Sequence, residues 1–325
     1  MKTTTKFGLG LAALGRPGYI NIGHGEDLEE DYSVSVMERR THKVLDAAWD
    51  AGVRYFDCAR SYGRAEEFLG KWISTKGIAP DDISVGSKWG YTYTAAWRVQ
   101  APEGVAHEVK RHELRVLEGQ YAASVKLLGP HLKLYQIHSA TPESGVLKNK
   151  DVLASLWRLK QSGMQIGLSV SGPNQSATVD QAIAIEFDDV RLFDSVQATW
   201  NLLETSAGQS LASAHECGLK VIVKEGLANG RLTSRNVAAD FGKKLASLKK
   251  VADERGTTVD ALSLAAVANQ PWVTTVLSGA STVEHLQSNL LAANVVWDNE
   301  LTEKLGSLVE APDEYWRRRS ELAWN

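Results

Sequence analysis

Four side chains stand out as able to do chemistry: Asp57, Tyr62, Lys88 and His138. A short apolar run, residues 53–56, ends on the Asp57 carboxylate, and a phenol follows five residues later in Tyr55-Phe56-Asp57-Cys58-Ala59-Arg60-Ser61-Tyr62-Gly63. Taken singly each has an ordinary use: Asp57 as a cap or turn residue, Tyr62 as a loop anchor, Lys88 as a surface lysine, His138 as a hydrogen-bonded core histidine. Together they make a proton donor with its supports. A phenol titrates near about 10, too high for efficient proton exchange at neutral pH, and a neighbouring ammonium lowers that value by favouring the phenolate. Lys88 can do this only if it stays charged inside the fold, and Asp57 supplies the counter-ion that offsets part of the desolvation cost. His138 can donate from a ring nitrogen to a substrate oxygen and polarise a carbonyl. The set describes a general acid that protonates a carbonyl oxygen while something else attacks the carbon.

Such a set needs a scaffold that gathers distant residues at one place. Period-2 apolar runs ending in polar residues mark strands at residues 6–11, 53–56, 83–87, 132–137, 165–169, 195–198, 220–223 and 273–277. Helical spacing fills the intervals: from Ser35 to the stop at Gly52, then 65–75, 112–128, 151–161, 178–185, 209–217, 243–255, 259–268 and 282–293. Eight strand-helix units predict an α/β fold, a (β/α)8 TIM barrel in a single domain over residues 1–325, with helices from about residue 301 to 325 packed on its outside. Three consecutive strands end on Asp57, Lys88 and His138, so all three, with Tyr62, are expected at the barrel mouth. Gly8-Leu9-Gly10-Leu11-Ala12-Ala13 matches a dinucleotide fingerprint in letters, but Gly15, Pro17 and Gly18 forbid the helix that motif requires. It reads as a strand leading into a long loop, residues 15–32, that overhangs a binding site.

Composition narrows the field. A net charge of −3 in 325 residues offers no attraction for a polyanion, which argues against a nucleic-acid partner. No apolar run approaches the roughly 18 to 20 residues that span a bilayer, and residues 1–20 lack a leader pattern, so a cytoplasmic protein without membrane contact is expected. Cys58 and Cys217 are the two cysteines; they give no disulfide framework and no metal-ligand spacing, and Cys58 is expected to be a small packed residue.

The constellation resembles the aldo-keto reductases over nearly the whole chain. The likeness rests on Phe56-Asp57-Cys58-Ala59-Arg60-Ser61-Tyr62-Gly63-Arg64-Ala65-Glu66-Glu67, on Gly86-Ser87-Lys88-Trp89-Gly90 and on Leu134-Tyr135-Gln136-Ile137-His138. It implies that Tyr62 is the proton donor, that Lys88 and Asp57 tune it, that His138 orients the carbonyl, and that the hydride comes from a nicotinamide, NADP(H) by resemblance with NAD(H) use plausible. Further along, Ser169 fits the family position that holds the nicotinamide amide, while Val170 replaces the usual asparagine, and Gln197 matches a second amide contact. Gly226-Leu227-Ala228-Asn229-Gly230-Arg231 is similar to the loop along the pyrophosphate, which makes Gly226, Leu227, Gly230 and Arg231 cofactor candidates. Ser278-Gly279-Ala280-Ser281-Thr282-Val283-Glu284-His285-Leu286-Gln287-Ser288-Asn289 resembles the adenosine-phosphate segment and adds Gly279, Ala280, Ser281, Thr282, His285 and Asn289. Thr282 stands where NADPH-preferring relatives have an arginine, and His285 is the one residue from 277 to 290 that can carry positive charge, so the preference for NADPH is expected to be weaker than usual. Trp89 and Trp200 directly follow strand ends and are candidates to line the pocket for a small carbonyl or alcohol. Two other functions fit parts of the pattern: a catalytically idle barrel that binds nicotinamide as a sensor or partner subunit, and a barrel aldolase with Lys88 as Schiff-base amine.

Overall fold

In the computed structural model, which describes residues 6–325, eight parallel strands close into one barrel. They are β1 (Phe7–Gly10), β2 (Tyr55–Asp57), β3 (Ser84–Trp89), β4 (Leu132–Ala140), β5 (Gln165–Val170), β6 (Ser195–Thr199), β7 (Lys220–Lys224) and β8 (Thr275–Ser278), paired in sequence order with β8 returning to β1. Each expected strand is present, and the boundaries differ by no more than three residues. The first five residues of the expected single unit lie outside the described residues.

Outside the barrel run α1 (Val34–Asp50), α2 (Ala65–Lys76), α3 (Leu114–Leu128), α4 (Lys150–Gln161), α5 (Gln175–Ile183), α6 (Gly208–Glu216), α7 (Gly242–Glu254), α8 (Val259–Ala268) and α9 (Val283–Leu290). Met37, Thr41, Val44, Leu45 and Ala48 form the buried stripe of α1, the i, i+4, i+7, i+8, i+11 spacing that seats a helix on a sheet. The terminal helices α10 (Asn299–Gly306) and α11 (Pro312–Ser320) share an apolar cluster with α7 and α8 through Leu301, Leu305, Tyr315 and Trp316. The long loop 15–32 contains one helical turn, His24–Asp27, and a two-stranded hairpin, Tyr91–Tyr93 with Glu108–Lys110, follows β3.

Alternation along each strand divides outward from inward residues. Phe56, Val85, Trp89, Ile137, Leu168, Val196 and Val223 join the large apolar cluster between sheet and helices. Residues of the other parity fill the interior: Tyr55, Leu134, Ile222 and Leu277 form a separate small cluster. The ring of Tyr55 fits because Gly86 faces it, and a Cβ built there would stand 2.3 Å from the Tyr55 hydroxyl.

At the mouth, the loop leaving β1 is locked to the loop that carries Tyr62. Arg64 N–H donates to the Gly15 carbonyl at 2.7 Å, and a Cβ on Gly15 would come within 2.2 Å of the Tyr62 carbonyl oxygen and 2.7 Å of the Ala65 nitrogen. Backbone on both sides leaves no flexible side chain to give way. Gly15→Ala is expected to cost about 1–3 kcal/mol, the range for overpacking, and to lower the thermal midpoint, whereas Gly242→Ala at the start of α7, where no atom lies within 4 Å, is expected to be neutral or slightly stabilising. Paired circular-dichroism melts check the contrast.

Candidate active site

Inward parity brings the expected set together. Asp57 on β2, Lys88 on β3 and His138 on β4 all point into the barrel at its C-terminal end, with exposures of 2%, 1% and 8%. Lys88 Nζ makes an ion pair with Asp57 Oδ2 and donates to the Cys58 carbonyl at 2.8 Å. The second carboxylate oxygen of Asp57 accepts from Gln197 Nε2 at 2.9 Å, Tyr55 Oη at 3.2 Å and Gln136 Nε2 at 3.3 Å. The Tyr62 ring centroid lies 5.0 Å from Lys88 Nζ and meets the His138 ring edge-on at 5.5 Å. Lys88, held between a carboxylate and a carbonyl, is not the free amine that Schiff-base chemistry needs.

His138 sits at a bulge. Ile137 pairs with Leu168 but Ala140 pairs with Val170, so His138 and Ser139 together oppose Ser169, and Ser139 takes a positive φ of 51°. The Ser139 N–H donates to Ser169 Oγ at 2.8 Å. Ser169 therefore braces the bulge that aims His138, and accepting this bond leaves its hydroxyl a proton to donate.

Electrostatics at the mouth depart from one expectation. Burial pushes the Tyr62 phenol well above its ordinary value, Asp57 adds to the rise, and Arg16 opposes it. The charge of Lys88 is cancelled at close range by Asp57, so it does not lower the resting phenol as its isolated charge would. Burial, with the positive charges of Lys88 and Arg16, pushes His138 well below the usual histidine value, which leaves a neutral imidazole with one ring N–H to donate.

A cleft of about 340 Å³ opens over this set and runs on past β7 to β8 and α9. Of the candidate residues, Asp57, Tyr62, His138, Gln197, Gly226, Leu227, Gly230, Gly279, Ala280, His285 and Asn289 line it. Other candidates are placed elsewhere for visible reasons. Trp89 and Trp200 follow inward residues, so alternation turns them outward: Trp89 packs edge-on against His112 at 5.6 Å and Trp200 against Trp272 at 5.7 Å. Arg231 is committed to Glu310 through two bonds of 2.7 and 2.9 Å. Thr282 Oγ1 caps α9 by accepting from the His285 N–H at 3.2 Å, and Ser281 Oγ donates to Asp27 Oδ2 at 2.6 Å.

Several wall residues escaped the sequence reading. Lys224, at the end of β7, has the same inward parity as Lys88 and was within reach of that rule. Arg16, Glu108, Glu225, Arg235 and Arg319 come from loops, the hairpin and α11, and no periodic pattern announces them. The cleft suits an extended dinucleotide. Its walls include the buried Asn229, whose side-chain oxygen has no partner, and Gly279, whose missing side chain leaves that face open. Gln197, the backbone of Gly226–Leu227 and the N-terminal end of α9 are the groups that would hold it. Among the described residues no His/Cys/Asp/Glu group is arranged to hold a metal, and no helix is long and apolar enough to cross a membrane.

A closed parallel barrel with a titratable set at its C-terminal mouth, opening into a cleft of about 340 Å³, is the architecture of a barrel enzyme. The chain belongs to the aldo/keto reductase family, whose model matches residues 18–310. It is 25% identical over 328 residues to the aldo-keto reductase str7 of Strobilurus tenacellus, covering 93% of this chain and 87% of that one. It is also 24% identical over 311 residues to a probable voltage-gated potassium channel subunit beta of Arabidopsis thaliana, covering 91% of each. The aldo-keto reductase AKR11C1 of Bacillus halodurans, solved in its holo form, shares the fold with a TM-score of 0.69 at 19% identity over 94% of this chain and 92% of that one. The protein is an NAD(P)-dependent oxidoreductase of this family, and its substrate is a small carbonyl compound or alcohol.

The Lys88–Asp57 pair can be tested through stability alone. Lys88→Met strands a buried carboxylate and is expected to cost about 3–5 kcal/mol. Adding Asp57→Asn removes that charge and is expected to recover most of the loss. Thermal midpoints of the single and double variants check this, and additive losses would mean the two residues are not energetically coupled.

Proposed function

We propose that the enzyme interconverts a small carbonyl compound and its alcohol with Tyr62 as the general acid in reduction and the general base in oxidation. The observation that carries this reading is the position of the Tyr62 ring at the cleft, 5.0 Å from Lys88 Nζ and edge-on to His138. A bound reduced nicotinamide supplies the hydride. His138, neutral, donates a hydrogen bond to the substrate oxygen and fixes its orientation. Tyr62, protonated at rest because burial raises its pKa, gives its hydroxyl proton to that oxygen as negative charge develops there. As the phenolate forms, the Lys88 ammonium attracts it and the Asp57 carboxylate opposes it, so the pair contributes much less than a lone ammonium would.

Cofactor choice follows from the far end of the cleft. Arg235 and His285 line it there, and behind them the Asp27 carboxylate, its side chain 6% exposed, is bonded to Arg235 Nη1 at 2.6 Å and lies 3.7 Å from His285 Nδ1. A 2′-phosphate brought to this place meets Arg235, whose charge Asp27 and Glu26 already answer, so the phosphate gains little over a ribose hydroxyl. NADH is therefore used at least as well as NADPH.

Tyr62→Phe is expected to lower kcat by about 10² to 10⁴ and to leave nicotinamide Kd nearly intact; wild-type turnover in this variant would end the assignment. With an uncharged aldehyde, kcat/KM for reduction is expected to be flat between pH 6 and 9, because a phenol whose pKa is raised keeps its proton throughout that window. Asp27→Ala is expected to shift the ratio of Kd values toward NADPH by about tenfold, the scale of one unit of unfavourable charge contact near 1.4 kcal/mol. Fluorescence titration with both cofactors measures it, and an unchanged ratio would mean the 2′ position lies elsewhere.

A further inference from the structure

The reacting end of the cleft carries more positive charge than its proton chemistry uses. Arg16, Lys224 and Arg319 line it, opposed by the carboxylates of Glu108 and Glu225. Arg16 Nη1 donates to Glu108 Oε2 at 3.0 Å, and Arg319 grips Glu225 through Nε at 3.0 and 3.1 Å and Nη2 at 2.5 Å. Three cations less two carboxylates leave one positive charge over, and Asp57 cannot balance it because Lys88 already does. The excess falls on Lys224. One hydrogen bond, to Thr199 Oγ1 at 2.8 Å, holds its Nζ, while the nearest Glu225 oxygen stands 3.8 Å away. An ammonium has three protons to donate. Arg16 repeats the pattern, since its Nε is buried with no partner although the residue is 2% exposed.

These cations belong to the reacting end and not to the dinucleotide's far end. The charges of Arg16 and Lys224 both bear on His138, and that of Arg319 bears on Tyr91, whose ring packs 4.8 Å from His138. The far end has its own cation, Arg235, which is tied to Asp27 and Glu26. Resting on the proposed carbonyl–alcohol function, we infer that the preferred substrate is a small carbonyl compound bearing an anionic group, a carboxylate or a phosphate, which binds to Lys224 with Arg16 and Arg319 beside it.

The surroundings of Lys224 give this a pH signature. Burial pulls its ammonium down to about 8, Glu225 resists, and Arg319 and Lys88 add to the fall. Thr199 on β6 and the Trp316 ring on α11 are the other groups packed against it. An anion that needs the protonated amine loses kcat/KM as pH rises through about 8, while an uncharged aldehyde does not.

Paired substrates test the inference: glyceraldehyde 3-phosphate against glyceraldehyde, and succinic semialdehyde against butyraldehyde, each with NADH and NADPH. The wild type is expected to favour the charged member of at least one pair by tenfold or more, and the pair that shows it distinguishes phosphate from carboxylate. Lys224→Met is expected to shrink that preference by roughly 10- to 100-fold, the scale of a hydrogen bond to a charged group, and to weaken competitive inhibition by inorganic phosphate or succinate against the uncharged aldehyde. Equal rates on charged and uncharged members overturn the inference and leave the proposed function standing; no reduction of any of the four overturns both. Should Lys224→Met weaken nicotinamide Kd while the charged preference persists, Lys224 belongs to the cofactor and the inference is wrong.

Discussion

The buried ion pair between Lys88 and Asp57 is the constraint around which the rest of this barrel is arranged. Removing two charges from water costs several kcal/mol for each ion, and attraction repays it only when the remaining donors and acceptors are satisfied. Here the repayment comes from around the barrel. Tyr55 and Asp57 belong to β2, Lys88 to β3, Gln136 to β4 and Gln197 to β6, so four strands contribute to one polar knot. Gln197 spans 140 positions of sequence to reach Asp57. The knot can form only in the closed barrel, which ties the electrostatics of the mouth to completion of the sheet. It also explains the small residues on neighbouring inward positions: Gly8 and Gly86 make room for the Tyr55 ring that supports the carboxylate from below.

Because the pair is nearly neutral as a unit, its effect on Tyr62 differs from that of a lone lysine. A sequence can show that an ammonium is near a phenol, and it cannot show how much of that charge is already answered. The resting phenol follows its burial and stays protonated, which is the form required to deliver a proton. The lysine answers the carboxylate, whose unpaired charge would raise the phenol further. The neutral His138 beside it completes the division of labour, since an imidazolium there would compete as an acid with the phenol.

How much of this was legible in the residues depends on the range of the interaction. Strand order, the eight-unit barrel and the Asp57, Lys88 and His138 strand ends follow from local periodicity, and they were readable. The same period-2 rule, applied one residue further, excludes Trp89 and Trp200 from the pocket and admits Lys224; adjacency to a strand end was a poorer guide than parity. Ser169 has a role that no local pattern shows, because the bulge at His138 and Ser139 takes its hydroxyl as a backbone acceptor. The loop residues were beyond reach for a different reason. Asp27 meets Arg235 across 208 positions and the His24 N–H meets Asn325 across 301, contacts set by how loops fold over the mouth and marked by no repeat in the chain.

Those loop contacts share one form. Arg16–Glu108, Arg235–Asp27 and Arg319–Glu225 each join a segment over the mouth to another element, and in each pair at least one partner's side chain is less than 10% exposed. Apolar side chains of similar volume would close the same gaps at equal or better stability, since a buried pair gains little after desolvation. What charge adds is a fixed geometry and a field. Arg16 lies over the Tyr62, Tyr19 and Trp324 rings at 5.2, 5.3 and 4.9 Å, and so ties Tyr62 to two neighbouring rings at the mouth. Glu225, held in a left-handed conformation with φ of 56°, is kept there by Arg319 and in turn keeps Lys224 at the cleft wall. Strain of this kind, of order 1–3 kcal/mol, persists where surrounding structure over-determines it, and such positions gather at functional sites. On the proposed function, the barrel supplies a rigid proton-transfer set from inward strand ends, while the loops supply the charge whose balance would select what comes to it.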